Sequence, residues 1–296
     1  MGKPIIKSGK FTVGADLQCG ENVVIDVAEE VIVGDRCVIP DNAYFSGRRV
    51  EIGDDFYGYS WEHPGFPRRV NDGIGGLHTR LGGPVGSWLE IGRGRIDDAS
   101  AVLVVGNRCT FHDNRIDLAR EVTIGDDVGL SPEVAIYTHY YWQSILEGYP
   151  FRLAPVLISS RVLVGFRSAL LPGVAIGEGS VIGAQSVVTG IVGVNEVWVG
   201  NPAKKVGDIT SPMSYFERLN SLVEDYHDSV AYRNLPHEIR KVDGNHVYIR
   251  DCRLDVESCT VSGIEDEYSD DLRDFLFKHG VRIYTKRPFR KLGRRA

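Results

Sequence analysis

The sequence predicts a mainly β chain: a parallel β-helix solenoid followed by a small α+β appendage. Three observations carry this. An aliphatic residue recurs every six positions, glycine often follows it directly, and the pattern changes after Gly207. Stepping by six from Ile158 meets Val164, Leu170, Ile176, Ile182, Val188 and Val194. Four residues after each stands a small or β-branched residue (Val162, Ser168, Val174, Ser180, Ser186, Val192), with Trp198 closing the series.

A period of six is neither helical nor a simple alternation. It calls for short strands whose inward residues lie two apart. At the tight corners between them, glycine, as at Gly165, Gly177 and Gly183, takes dihedrals that other residues resist. Three such hexapeptides make one triangular coil, so each inward aliphatic residue is expected to stack on its equivalent about 18 residues later.

The pattern runs back, with slips, through Val13, Cys19 and Ile25, then Val33, Ile39 and Phe45, then Ile52, and later Ile91, Val105, Phe111, Ile124, Leu130 and Ile136. Cys19, Cys37 and Cys109 fall at inward positions and read as packing. Two segments escape it. Residues 58–90, rich in glycine and proline, read as a long loop, and 143–155 as a shorter excursion.

Beyond Gly207, Tyr215, Phe216, Leu219, Leu222, Val223 and Tyr226 are spaced as one face of an amphipathic helix that could cap the open end of the solenoid. Residues 246–261 then read as strand pairs, 269–280 as a helix started by Ser269 and stopped by Gly280, and 281–285 as a strand. The expected division is a solenoid over 1–210, with its long loop at 58–90, and a capping helix with a small α+β domain over 211–296.

At 296 residues, 43% hydrophobic and 25% charged, the composition is that of a soluble globular protein. A net charge of −6 argues against nucleic acid or a membrane surface as partner, because both need a basic face. The basic tail over 286–295 reads as a solvated end. No apolar run reaches membrane-spanning length and the start has no apolar leader core. Five cysteines, odd in number and without a CxxC pair, fit a reducing compartment, so a cytoplasmic location is expected.

The chemistry-bearing stretch is "IYTHYYW", residues 136–142. His139 lies three residues after inward Ile136 and so is expected to point away from the buried column. A neutral imidazole there can take a proton from a hydroxyl or amine, both poor nucleophiles at neutral pH.

The run "VLVGFRSALLPGVAIGEGSVIGAQSVVTGIVGVNEVWVGNPAKKVG" resembles the closing coils of the hexapeptide-repeat acyltransferases, particularly the maltose and galactoside acetyltransferase branch. The resemblance is strong over 105–207, weaker over 11–57 and absent over 58–90 and 208–296. It implies a left-handed β-helix assembled as a homotrimer, with active sites in the clefts between neighbours. It implies acetyl-CoA as donor and a small sugar or nucleotide sugar as acceptor. His139 would be the general base while backbone amides hold the thioester oxygen.

The same resemblance suggests His112, Asn114, Asp117 and Tyr141 as acceptor contacts, with His112 as the alternative base. Ala184 and Thr189 would line the pantetheine groove, and Lys204 and Lys205 would sit near the CoA phosphates. The sequence departs from the family pattern at Leu163, Phe166 and Gly190, and Tyr141 stands where the branch places its base. In the long loop, Trp61, His63, Arg68, Arg69, His78 and Arg80 read either as contacts to a large acceptor or as ordinary surface residues.

Two other readings stand beside this one. A γ-class carbonic anhydrase on the same solenoid would need histidines five apart, but Val134 and Ser144 occupy those places around His139, so no metal is expected. A non-catalytic scaffold, with the appendage as binding module, is the alternative outside enzymology.

Overall fold

The six-residue period becomes parallel strand pairing. Ile158 pairs with Ile176, Val164 with Ile182 and Leu170 with Val188, each 18 residues on, as one coil stacking on the next requires. The computed structural model describes residues 4–58, 89–92, 99–140, 143–287 and 289–293. The chain divides into two compact units, Met1–Ile209 and Thr210–Ala296. Among the described residues no helix is long and apolar enough to cross a membrane.

The first unit is mainly β, with strands of a 13-stranded and a 9-stranded sheet running in parallel up the coils. The antiparallel pairing of Glu196–Gly200 with Ala203–Asp208 ends the second of them. Where a segment is thrown out of the coil, register resumes beyond it. Ile136 pairs with Leu170 across the excursion, and Phe45 with Ile91 across the long loop. Both end residues of the segment 58–90 are strand residues, and 59–88 lie outside the described residues. Gly58 still closes the strand Tyr57–Gly58 and Glu90 opens Glu90–Gly92, because both are held by neighbouring coils.

The inward residues form one column: Ile25, Phe45, Ile91, Ile116, Ile136, Leu170 and Val188 are all at most 5% exposed. Cys37 and Cys109 are fully buried, and each Sγ lies near a carbonyl of the next coil, 3.2 Å from Gly53 O and 3.1 Å from Gly125 O. Burial pushes the two thiols up to about 11 and about 12 respectively, so neither forms a thiolate at neutral pH.

The corners carry their own ladder. Asp35 Oδ1 accepts from Ala15 N (2.7 Å), Asp54 Oδ1 from Asp35 N (2.8 Å), Asn107 Oδ1 from Asp54 N (2.9 Å), Asp126 Oδ1 from Asn107 N (2.7 Å), and Ser160 Oγ from Asp126 N (3.0 Å). Each side chain satisfies a backbone donor that the turn leaves without a ladder partner. Beside it, Arg36 and Arg108 occupy the left-handed region (φ 54° and 55°) and are clamped by Asp55 and Asp127 through paired contacts of 2.6 and 2.8 Å and of 2.9 and 2.8 Å. These bidentate pairs offset the strain of placing a residue with a Cβ in the left-handed region at a corner.

Gly165 sits where two coils approach closely. A Cβ there would stand 2.6 Å from Ala184 N and 2.8 Å from Gly183 C, both backbone atoms that cannot swing aside. Gly165→Ala is therefore expected to cost about 1–3 kcal/mol, the range for forced overpacking. Gly190→Ala, whose Cβ meets nothing within 4 Å, should stay within about 0.5 kcal/mol. Urea denaturation of the two variants checks this, and equal costs would remove the argument.

In the second unit, helix α1 (Tyr215–Tyr232) starts at a capping box between Ser214 and Glu217. Its buried face, Leu219, Val223, Tyr226 and Val230, joins Val247, Ile249, Leu254, Leu272 and Ile283 in that unit's own core. A four-stranded antiparallel meander spans Ile239–Asp243, His246–Ile249, Cys252–Asp255 and Thr260–Gly263. The cap of helix α2 (Glu267–Lys278) lies three residues earlier than the sequence suggests. Asp266 is the cap, accepting from Tyr268 N and Ser269 N, and Ser269 is the return half of the box. Gly280 follows the helix at φ 83°.

Residues 281–285 do not form the expected strand. Ile283 is buried, and its carbonyl accepts from the fully buried Arg273 at 3.2 Å, so side chains replace sheet pairing there. Two adjacent carboxylates of α2 bind this terminal segment. Asp270 pairs with Arg273 and Arg287, and Asp271 with Arg233 and the backbone N of Leu292.

Candidate active site

His139 is placed by a strand reversal. After inward Ile136 the chain leaves the coil, and His139–Tyr140 pairs antiparallel with Arg152–Leu153, so the excursion is a hairpin that begins at the histidine itself. Its turn holds a short helical piece, Ile145–Glu147, capped by Ser144. The returning strand is fixed by Ala154 N donating to Thr138 O at 3.0 Å.

One coil earlier, Arg115, Ile116 and Asp117 form a strand in which Ile116 points into the column while its two neighbours point out. Ile116 pairs with Ile136, which brings Asp117 beside the start of the hairpin. Asp117 Oδ2 accepts from His139 Nδ1 at 2.7 Å, from Thr138 Oγ1 at 2.6 Å and from Thr138 N at 3.0 Å. Thr138 is wholly buried and its Oγ1 also accepts from Arg120 N at 3.0 Å, so the loop after Asp117 wraps the threonine.

This arrangement fixes the imidazole. A carboxylate can only accept, so Nδ1 carries the proton and Nε2 has the lone pair. Asp117 is 7% exposed and His139 31%, so the anion is shielded while the ring reaches the surface. When Nε2 takes a proton, the buried carboxylate stabilises the resulting imidazolium, as in other histidine–aspartate pairs.

The dyad lines a cleft of about 700 Å³ together with Glu90, Gly92, Arg115, Tyr137, Tyr140, Gln143, Pro150, Leu171 and Pro172. Two aromatic rings and two prolines beside a proton acceptor suit a ring-shaped, polar small molecule. Arg115 Nε donates to Glu90 Oε2 at 3.2 Å across paired strands.

Of the residues singled out from sequence, the structure brings His139 and Asp117 together in this cleft, Asp117 as the partner of the imidazole. Asn114 is 2% exposed and its amide donates to Ser131 O at 2.8 Å, away from the lining residues. His112 is outside the cleft wall as well, and burial pushes its pKa down to about 4, leaving it neutral at pH 7. Tyr141 lies outside the described residues, as do Trp61, His63, Arg68, Arg69, His78 and Arg80.

On the donor side, Ala184, Thr189, Lys204 and Lys205 are exposed and none is a described lining residue of the cleft. Lys205 Nζ contacts Glu196 Oε1 at 2.9 Å and Asp208 Oδ1 at 2.8 Å. Lys205, Trp198 Nε1 and Gly193 N hold the Glu196 carboxyl down to about 2. Phe166 is half-buried, with the Arg167 guanidinium 4.8 Å above its ring and Arg167 paired to Glu133 at 2.6 Å.

Sequence reasoning missed Thr138, Arg115, Glu90 and Tyr137. The signal was one coil away: Asp117 and His139 are 22 residues apart, about one turn of the solenoid. Among the described residues no cluster of three or more His, Cys, Asp or Glu is placed to hold a metal ion.

No family model matches the chain. It is 41% identical over 104 residues to a Schizosaccharomyces pombe protein described as an acetyltransferase, covering 34% of this chain and 47% of that one. It is 37% identical over 93 residues to the galactoside O-acetyltransferase of Escherichia coli, covering 30% and 44%. The chain thus spans less than half the length of these two curated relatives. Among solved structures it is similar to a maltose O-acetyltransferase from Clostridium difficile (35% identity, TM-score 0.31, covering 37% of this chain and 60% of that one). A galactoside acetyltransferase solved with coenzyme A gives 28% identity and a TM-score of 0.33, covering 38% and 60%.

Proposed function

We propose, from the chain's kinship with hexapeptide-repeat acetyltransferases, that it moves an acetyl or related acyl group from acetyl-CoA to a hydroxyl or amino group of a sugar-like acceptor. The observation that carries this is the Asp117–His139 contact of 2.7 Å on the wall of a cleft large enough for a saccharide.

His139 is the general base. Nε2 takes the acceptor's proton as the acceptor oxygen or nitrogen bonds to the thioester carbon. The carbon–sulfur bond then breaks and the departing thiolate recovers that proton from the imidazolium. No covalent enzyme intermediate is needed. Tyr137 and Tyr140 supply faces for the acceptor ring. The donor runs past the exposed small residues Ala184 and Thr189, with Lys204 toward its phosphates. The contacts of Lys205 with two carboxylates make it the weaker of the two lysines for that role.

In this reading the coils close as a left-handed β-helix and three copies associate in the cytoplasm. Val194, inward by the six-residue spacing, is exposed because Val192 takes the place opposite Ile176; with the exposed Leu157, Leu163 and Ile191 it favours self-association. Light scattering giving three times the chain mass is the matching result.

Calorimetry with acetyl-CoA, then a panel of sugars and sugar nucleotides, tests the function. If neither CoA nor acetyl-CoA binds, the scaffold reading replaces this one. Within the acyltransferase reading, Asp117→Asn is expected to lower kcat on the order of 10–100-fold, the worth of one charged hydrogen bond, with little change in the donor KM. An unchanged kcat in a folded Asp117→Asn protein removes the dyad.

A further inference from the structure

We propose that Thr138 is a positioning residue: its hydroxyl braces the Asp117 carboxylate and, through it, sets the tautomer and aim of the His139 ring. The inference rests on the acyl-transfer reading for what the ring does, and stands apart from it for how the ring is held.

Three donors meet on one carboxylate oxygen. Asp117 Oδ2 accepts from Thr138 Oγ1 at 2.6 Å, from His139 Nδ1 at 2.7 Å and from Thr138 N at 3.0 Å. Oδ1 is buried and accepts from none of the described residues. The terminal torsion of an aspartate is soft, so with Oδ1 unbonded the orientation of the group depends on the donors at Oδ2. His139 is the residue to be held, and Thr138 N makes the longest of the three contacts. The hydroxyl is therefore the main brace.

The hydroxyl is itself aimed. Arg120 N donates to Thr138 Oγ1 at 3.0 Å, which leaves the single hydroxyl proton for an acceptor. Two are in reach, Asp117 Oδ2 at 2.6 Å and the Asp117 carbonyl at 3.2 Å, and the nearer, charged oxygen takes it. One hydrogen bond feeding the next polarises the row from Arg120 to the carboxylate. Thr138 is wholly buried, and its carbonyl accepts from Ala154 N at 3.0 Å, so the brace is tied to the returning end of the hairpin as well. The place needs a side chain that accepts from one neighbour and donates to the other. Serine and threonine do both, and the β-branch of threonine also stiffens χ1.

Thr138→Val keeps the shape and removes the hydroxyl. The first measurement on it needs no substrate: the ring 15N signals of His139, assigned by their loss in His139→Ala, in alkaline buffer where an imidazole is neutral. The native ring should show the Nδ1–H tautomer, and Thr138→Val a mixture of the two. The second is steady-state transfer from acetyl-CoA. Thr138→Val should lower kcat about 5–20-fold with the donor KM unchanged, and Thr138→Ser should recover most of the loss. Combined with Asp117→Asn, the loss should fall well short of additive, since both changes act on one contact. Where Thr138→Val does not fold, Thr138→Cys, a weak donor of similar size, replaces it with the same expectations.

A single Nδ1–H tautomer retained in Thr138→Val overturns the proposal, and transfer by the native protein then leaves the acyl-transfer reading standing. A fall in kcat that Thr138→Ser does not recover, or that adds in full to that of Asp117→Asn, also overturns it, because that is the mark of a residue that only supports the fold. A change of tautomer, with no transfer by the native protein to any acceptor, supports the brace and sinks the acyl-transfer reading. Neither a change of tautomer nor transfer overturns both.

Discussion

His139→Ala is expected to lower kcat by about 10²–10⁴-fold while leaving the melting temperature essentially where it was. The size follows from what is removed: the one imidazole that lines the cleft among the described residues, preset by a buried carboxylate to keep its lone pair on Nε2. The small effect on stability follows from position, since His139 lies on a two-residue strand outside the aliphatic column. His112→Ala provides the contrast. That side chain is mostly enclosed and away from the cleft lining, so its loss should appear in stability and not in kcat. Steady-state assays with acetyl-CoA decide between them. A His139→Ala enzyme as fast as the native one would end the general-base role.

Asp271→Ala should cost the second unit about 3–5 kcal/mol, the usual range when one member of a buried ion pair is deleted. Asp271 is 1% and Arg233 7% exposed, joined by contacts of 2.6 and 2.9 Å. Tyr226 donates to the same carboxylate at 2.9 Å and Leu292 N at 2.7 Å. Without the carboxylate, a guanidinium stays inside the core with no counter-charge, and the terminal segment loses its tie. A domain of this size has only about 5–15 kcal/mol to lose. Hydrogen exchange should show the amides of α1 opening, while those of the strand Val122–Ile124 keep their protection. The pair Arg233→Met with Asp271→Leu should recover much of the loss, because an apolar replacement leaves no charge stranded. A single variant within about 1 kcal/mol of native would refute the argument.

The column was legible where the six-residue spacing is unbroken, so that Ile158, Val164 and Leu170 each find the partner the period names; in the last coil the spacing shortens by two, and Ile176 meets Val192 in place of Val194. The ends of the long loop were less so. Gly58 and Glu90 are strand residues only because neighbouring coils supply the hydrogen-bond partners, and local composition does not carry that. The start of α2 failed similarly, with two capping residues three apart, Asp266 and Ser269, sharing one box. At the site, the histidine announced itself by breaking an aliphatic pattern. Its partner did not, because Asp117 looks like any polar outward residue until the coil is wound and a distance of 22 in sequence becomes 2.7 Å. Arg115 and Glu90 were hidden by the same winding, 25 residues apart in the chain and adjacent in the sheet.

Because Phe45 meets Ile91 and Ile136 meets Leu170 whatever chain lies between them, the stack keeps its count by touch and not by length. The side-chain ladder from Asp35 to Ser160 works in the same way, each rung answering only to the one before. A corner of this protein is therefore a port. Chain can be spliced in there, altered or exchanged, and the rows above and below still close on one another. The hairpin that starts at His139 leaves the stack at such a port, and the row of Arg115 and Ile116 closes on Ala135 and Ile136 just before it.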